Sequence, residues 1–300
     1  MKLNSNTIKV LHVEYCEVRD IVDIELLNLE ILILRNNLIR HIDNIVSFCN
    51  LRQLDISQNY GIDITPLQHM KGLKVLNTSW NGLQSIQALY SLKSLQELDL
   101  SGNERLIYAL TTPSLVKLQI PYAFLTSVSS IQSLYNLIEL DLSENALVDV
   151  FHLHFITNLQ LLNLSCNQLC SVIPLRRLVL LRQLNLSSNR IVFIYPLFGL
   201  KSLVVCNLEY NLIDVRVIEN NNVQFDLDYQ EQPDQNQLCL SRKMRIIDST
   251  SIQIFKTNQI KRIRFKFETE KNLIQWKIVE RKLQFLQQLQ TAANIFKLIN

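Results

Sequence analysis

Glycine and proline are scarce in this 300-residue chain, at 5 and 6 residues, which excludes a collagen-like repeat and a glycine-linker composition. No stretch approaches the roughly 18 uncharged apolar residues that a membrane-spanning helix needs. The opening stretch MKLNSNTIKV has no unbroken apolar segment and no small-residue cleavage site, so it does not read as a secretory signal. The expectation is a soluble protein of the cytoplasm or nucleus. The six cysteines, Cys16, Cys49, Cys166, Cys170, Cys206 and Cys239, form no CxxC pair, and free thiols in a reducing compartment are expected. Phosphate-binding glycine loops, GxSxG and HExxH are missing. His152 and His154 stand close together, but no cysteine or carboxylate lies at ligand spacing from them. No catalysis, small-molecule substrate, cofactor or metal is therefore expected. With 48% hydrophobic residues, a disordered chain is excluded as well.

What the chain has in abundance is one phrase. LIELDLSENAL at 137–147, LQLLNLSCNQL at 159–169 and LRQLNLSSNRI at 181–191 share the pattern Leu-x-x-Leu-x-Leu-x-x-Asn-x-Leu. Its first apolar residue recurs at Ile8, Leu29, Leu51, Leu73, Leu95, Leu115, Leu137, Leu159, Leu181 and Leu203. Nearly every interval is 22 residues, the length of one supersecondary unit that cannot bury its own apolar face. Leu184 and Leu186 alternate with Gln183, Asn185 and Ser187, the period of a short strand. Stacked units then make one long parallel sheet. After the asparagine the apolar positions step by three, as in Ile42, Ile45 and Phe48, or Ile194, Leu197 and Leu200. That spacing suits a 3-10 turn better than an α-helix.

These residues resemble the leucine-rich repeat superfamily over about residues 8–224. The resemblance implies an α/β solenoid, with a curved parallel sheet on a concave face and short 3-10 turns on the other. It also implies that Asn37, Asn59, Asn81, Asn103, Asn145, Asn167, Asn189 and Asn211 form a buried structural ladder. The phrases DITPL, SVIPL and FIYPL look like the 22-residue class of bacterial internalins and of protein phosphatase-1 regulatory subunits. None of the phosphatase-contacting residues can be carried over, and the absent signal weighs against an internalin-like adhesin. Two irregularities stand out. The interval from Leu95 to Leu115 is only 20 residues, and the next repeat has Ala123 in place of asparagine, behind Pro121 and Tyr122. A local kink is expected there. Cys16 takes the asparagine position of the first repeat, and the pattern fades after Ile213. The triplets at Asn77, Asn163 and Asn185 that match glycosylation acceptors fall inside the phrase and read as its by-product.

The sequence divides into a repeat array, 1–224, and a basic tail, 225–300. Residues 240–300 hold 13 Lys or Arg against 4 acids. IKRIRFKFE alternates like a two-faced strand, and residues around 268–298, with Trp276, Val279, Leu283 and Leu286, repeat like an amphipathic helix. That helix is expected to cap the array or to pair with another chain. The stretch QEQPDQNQLCLSRKMRIIDS resembles the region after the repeats in protist leucine-rich repeat families of unassigned function.

Aligned by repeat, one outward row reads His12, Ile33, Asp55, Asn77, Asp99, Gln119, Asp141, Asn163, Asn185, Asn207. Its neighbour reads Val10, Ile31, Gln53, Val75, Glu97, Lys117, Glu139, Leu161, Gln183, Val205. Asp55, Glu97, Asp99, Glu139 and Asp141, with Glu144 at the rim, give this face an acidic centre. Trp80, Tyr122 and Tyr210, just before the asparagine position, add aromatic anchors of the kind that dominate protein interfaces. The expected function is a non-catalytic scaffold holding a basic protein partner, in a narrower form a phosphatase-regulator-like adaptor. The alternative is an adaptor whose basic tail binds anionic membrane or RNA, with the array as spacer.

Overall fold

The structure, a computed structural model, describes residues 3–4, 7–21, 24–104, 110–213, 242–243 and 255–256. The expected tail strand and the expected helix around 268–298 lie outside these residues, as do Cys239 and the boundary at 224.

Ten strands form one parallel sheet in chain order: β2 (Val10–His12), β4 (Ile31–Ile33), β5 (Gln53–Asp55), β6 (Val75–Asn77), β7 (Glu97–Asp99), β8 (Lys117–Gln119), β9 (Glu139–Asp141), β10 (Leu161–Asn163), β11 (Gln183–Asn185) and β12 (Val205–Asn207). Two further pairs are small. β1 (Leu3–Asn4) runs parallel to β3 (Ile24–Glu25), and β13 (Arg242–Lys243) runs antiparallel to β14 (Phe255–Lys256).

Each three-residue strand turns its middle residue inward. Leu32, Leu54, Leu76, Leu98, Leu118, Leu140, Leu162 and Leu184 are buried, and Cys206 takes the place in the last strand. The register sets every residue opposite its counterpart in the next repeat, as in Leu162 against Leu140 and Leu184. A single fully buried leucine contributes about 1.5–3 kcal/mol. That gain exists only when the neighbouring repeat is folded, so stability is cooperative between neighbours.

Among the described residues the chain returns behind the sheet through seven 3-10 turns: η1 (Asp43–Ser47), η2 (Thr65–His69), η3 (Gln87–Ser91), η4 (Ser129–Ile131), η5 (Phe151–Phe155), η6 (Ile173–Arg177) and η7 (Tyr195–Gly199). The step of three is visible in the bonds, with Ile45 N–H donating to the Ile42 carbonyl and Phe48 N–H to that of Ile45, each at 3.0 Å. Ile42, Ile45 and Phe48 are all buried, so a turn of three residues brings all three apolar side chains to one face.

The asparagine column closes the corner after eight of the ten strands of the sheet. Asn167 Nδ2 donates to the Leu142, Leu164 and Ser165 carbonyls, and its Oδ1 accepts the Leu147 N–H. Asn59, Asn103 and Asn189 repeat this pattern of donation across repeats. Cys16, which stands in for an asparagine, sends its thiol to the Glu14 carbonyl and its N–H to Asn37 Oδ1.

Ala123 leaves one rung out. The Leu100 carbonyl, which asparagine would reach from that position, accepts instead from Asn103's own backbone N–H at 3.3 Å and from its Nδ2 at 3.0 Å. On the other side Asn145 Oδ1 still accepts the N–H groups of Ala123 and Leu125. Strand pairing passes through without a slip, β8 facing β7 and β9 in the common register. The irregularity expected here is confined, among the described residues, to this missing rung and to the shortened return.

Candidate interaction surface

Both outward rows lie side by side on the sheet as the repeat alignment has them, Asp55 beside Asn77, Asn77 beside Asp99, Gln119 beside Asp141. Strands about 4.8 Å apart put Asp55, Asp99 and Asp141, on alternate strands, at steps of about 10 Å.

These aspartates are also built into the corner that follows them. Asp55 Oδ1 accepts from the N–H and hydroxyl of Ser57 at 2.9 and 2.6 Å. Asp141 does the same with Ser143 at 2.9 and 2.7 Å, and Asp99 with the N–H and hydroxyl of Ser101. Asn163 and Asn185 hold Ser165 and Ser187 identically. Reading the row for charge alone misses this double role. The signal for it is in the sequence, as Asp or Asn followed two residues later by Ser in LDLS and LNLS.

In the second row Lys117 stands between Glu97 and Glu139 and pairs with Glu139 at 3.2 Å. The pair is partly exposed to solvent and contributes little to stability, but it removes part of the acidity expected at the centre. Glu97 remains exposed.

Residues preceding the asparagine column form a third row along the strand ends. Nine of them, Tyr15, Asn36, Gln58, Trp80, Tyr122, Glu144, Cys166, Ser188 and Tyr210, have φ between 53° and 58°. Gly102 is the glycine of the row, and the left-handed backbone is not its reason, since its neighbours adopt that conformation with side chains. A Cβ there would meet Trp80 Cδ2 at 2.4 Å. The indole lies over Gly102 and reaches the Tyr122 ring, with centroids 5.5 Å apart and planes tilted by 41°. Trp80 and Tyr210 remain nearly half exposed.

Tyr122, Glu144 and Cys166 follow in adjacent repeats. Burial, reinforced by Glu144, pushes the Tyr122 hydroxyl up to about 12. Burial, then a hydrogen bond to Glu144, pushes the Cys166 thiol up to about 11. The row therefore presents an aromatic pair and a carboxylate flanked by neutral, protonated neighbours. Tyr210 is set apart from Trp80 and Tyr122 by Glu144, Cys166 and Ser188. No cluster of His, Cys, Asp and Glu among the described residues has the grouping to hold a metal.

No family model matches the sequence, and no curated protein matches it. Solved structures do match in fold. An internalin, InlF, of Listeria monocytogenes superposes with a TM-score of 0.61 at 24% identity, over 70% of this chain and 64% of that one. A leucine-rich repeat protein of Leptospira interrogans gives 0.57 at 24%, over 69% and 62%. TLR13, in its complex with a single-stranded RNA, gives 0.55 at 24%, over 69% of this chain and 33% of that one. The chain thus spans less than two thirds of the length of each. At this identity the likeness concerns the fold alone. Repeat phrase, sheet register, asparagine column and fold likeness agree: the chain has the fold of a leucine-rich repeat solenoid.

Proposed function

We propose that this protein is a non-catalytic scaffold that holds a partner protein on the outward face of its parallel sheet, and that the partner presents basic residues. The observation that carries this reading is the charge of that face. Asp55, Glu97, Asp99, Asp141 and Glu144 cluster on it, Glu139 is shared with Lys117, and the exposed Trp80 and half-buried Tyr122 form an aromatic pair at its rim. Aspartates about 10 Å apart suit a partner whose cations recur at that interval, and an aromatic face accepts the cation of an arginine or lysine. The phosphatase-regulator version is narrower and rests on repeat class alone.

Alanine is the wrong probe for this surface, because it removes the turn bonds to Ser57, Ser101 and Ser143 together with the charge. Asparagine keeps the acceptor, as Asn163 and Asn185 demonstrate. The full chain and its D55N/D99N/D141N variant are compared in capture from native lysate at low and at physiological salt. A protein retained by the first and lost from the second, with unchanged thermal stability, supports the reading. Equal retention moves the site off the sheet.

A further inference from the structure

The opposite face carries an independent signal. The first residue of each 3-10 turn occupies one equivalent, solvent-exposed position. It is Asp43, Thr65, Gln87 and Ser129 in η1 to η4, then Phe151, Ile173 and Tyr195 in η5 to η7. Four polar occupants show that the fold asks for nothing apolar there. Yet the last three turns expose 54%, 56% and 48% of a large hydrophobic side chain in consecutive repeats.

Two neighbouring positions change in the same direction. The residue two before each turn is polar in the other repeats, and in four of them it caps: Asp63 holds the Thr65 N–H at 2.9 Å, Ser85 that of Gln87 at 3.2 Å, Ser127 that of Ser129 at 3.2 Å, and Ser171 that of Ile173 at 3.3 Å. In η7 this place belongs to Phe193, 59% exposed, and the cap is forfeited. The second and third residues after the turn's end are Lys71–Gly72, Lys93–Ser94 and Thr157–Asn158 after η2, η3 and η5, but Val179–Leu180 after η6, both exposed. Exposed apolar groups have thus displaced polar ones at three places, in one instance at the expense of a hydrogen bond.

The charge around this patch has one dominant sign. Across 147–158, 169–180 and 191–202 the cations are Arg176, Arg177 and Lys201, and the acid is Asp149. The patch is made of projecting turns; the cavity of about 540 Å³ on this side lies between η2 and η3, two repeats or more away. Aromatic and aliphatic side chains projecting from turns among cations fit a fluid anionic interface. The sequence supplies a second cationic signal in residues 240–300, with 13 basic against 4 acidic, and stable peripheral attachment generally takes two. No described helix is long and apolar enough to cross a membrane.

We propose that the 3-10 face formed by η5, η6 and η7, centred on Phe151, Ile173 and Tyr195, docks peripherally on an anionic membrane surface, leaving the sheet face to a partner. The full chain is tested by flotation with vesicles of phosphatidylcholine alone and with about 30 mol% phosphatidylserine. The variants install residues that other repeats already carry: F151S/I173T/Y195Q on the apolar column and R176Q/R177S on the charge. Binding is expected to anionic vesicles alone, and each variant is expected to weaken it at least about tenfold. A third variant, Phe193→Ser, restores the cap, so it should unfold no more easily than the parent while binding vesicles less. That outcome cannot come from misfolding. Absence of binding to anionic vesicles overturns the proposal. So does undiminished binding in F151S/I173T/Y195Q and Phe193→Ser, which would assign the lipid contact to the basic tail. The sheet-face variant D55N/D99N/D141N should bind vesicles like the parent, so the two proposals fail separately.

Discussion

Tyr122 and Cys166 are half-buried weak acids side by side with the carboxylate of Glu144, and both stay protonated well above their ordinary values of 10.0 and 9.0. A group whose folded pKa is raised contributes stability that is complete below its unfolded pKa and is lost as pH rises through the folded one. For Cys166 that window runs from about 9 to about 11, and for Tyr122 from about 10 to about 12. The urea midpoint should therefore decline above pH 9, and Cys166→Ser, which cannot ionise but can still bond to Glu144, should flatten the decline between pH 9 and 11. An unchanged slope would assign the alkaline loss to other groups, of which Cys206, fully enclosed and pushed further in the same direction, is the nearest in kind. The same burial orders thiol reactivity. Exposed Cys16, Cys49 and Cys170 should alkylate first at pH 8, Cys166 slowly, and Cys206 only on unfolding, as peptide mapping would record.

At the scale of the strand and its corner, Asp141 ties β9 to the turn that follows through Ser143. Asp141→Ala leaves the N–H and hydroxyl of the buried Ser143 without their acceptor, a loss of about 1–3 kcal/mol. Asp141→Asn keeps the geometry already present at Asn163 and Asn185 and should lie within about 0.5 kcal/mol of the parent. Chemical denaturation of the two variants checks this, and equal losses would mean that charge rather than acceptor geometry holds the corner. The strand register and the 3-10 turns were legible in the sequence because period two and a step of three are properties of spacing alone. The corner was not, because the outward aspartates were weighed as charges and not as acceptors for a serine two residues on. Nor was the reason for Gly102 legible, since the left-handed position gives no hint that the Trp80 indole lies across it. The apolar column Phe151, Ile173, Tyr195 could have been found by aligning the turns as the strands were aligned. Apolar residues behind a sheet read as core until their exposure is known.

In the array as a whole, each repeat is held by its neighbours, so a defect is local in space but open to propagation along the chain. The interface between β7 and β8 is the place where the asparagine column lacks a rung, and the shortened return lies between the same strands. The sheet hydrogen bonds there are intact, so the weakness is at the corner, where the Asn103 N–H reaches back to the Leu100 carbonyl at 3.3 Å instead of forward to a side chain. Hydrogen exchange should therefore find the Asn103 amide less protected than the equivalent amide of Asn59, which donates to Asn81 Oδ1 at 2.6 Å in a complete rung. Removing an existing rung gives the reference. Asn167→Ala strands the Leu147 N–H inside the core and leaves the Leu142 carbonyl only its bond from Asn145 Nδ2, and should cost about 1–3 kcal/mol. Combined with a second deletion four strands away, at Asn81, the losses should add within about 0.5 kcal/mol, because the two rungs share no partner. Additivity together with early exchange at Asn103 would establish nearest-neighbour cooperativity with one weak joint. A strongly non-additive pair would instead mean that the ten strands unfold as a single block, and the missing rung at Ala123 would then have no separate consequence for stability.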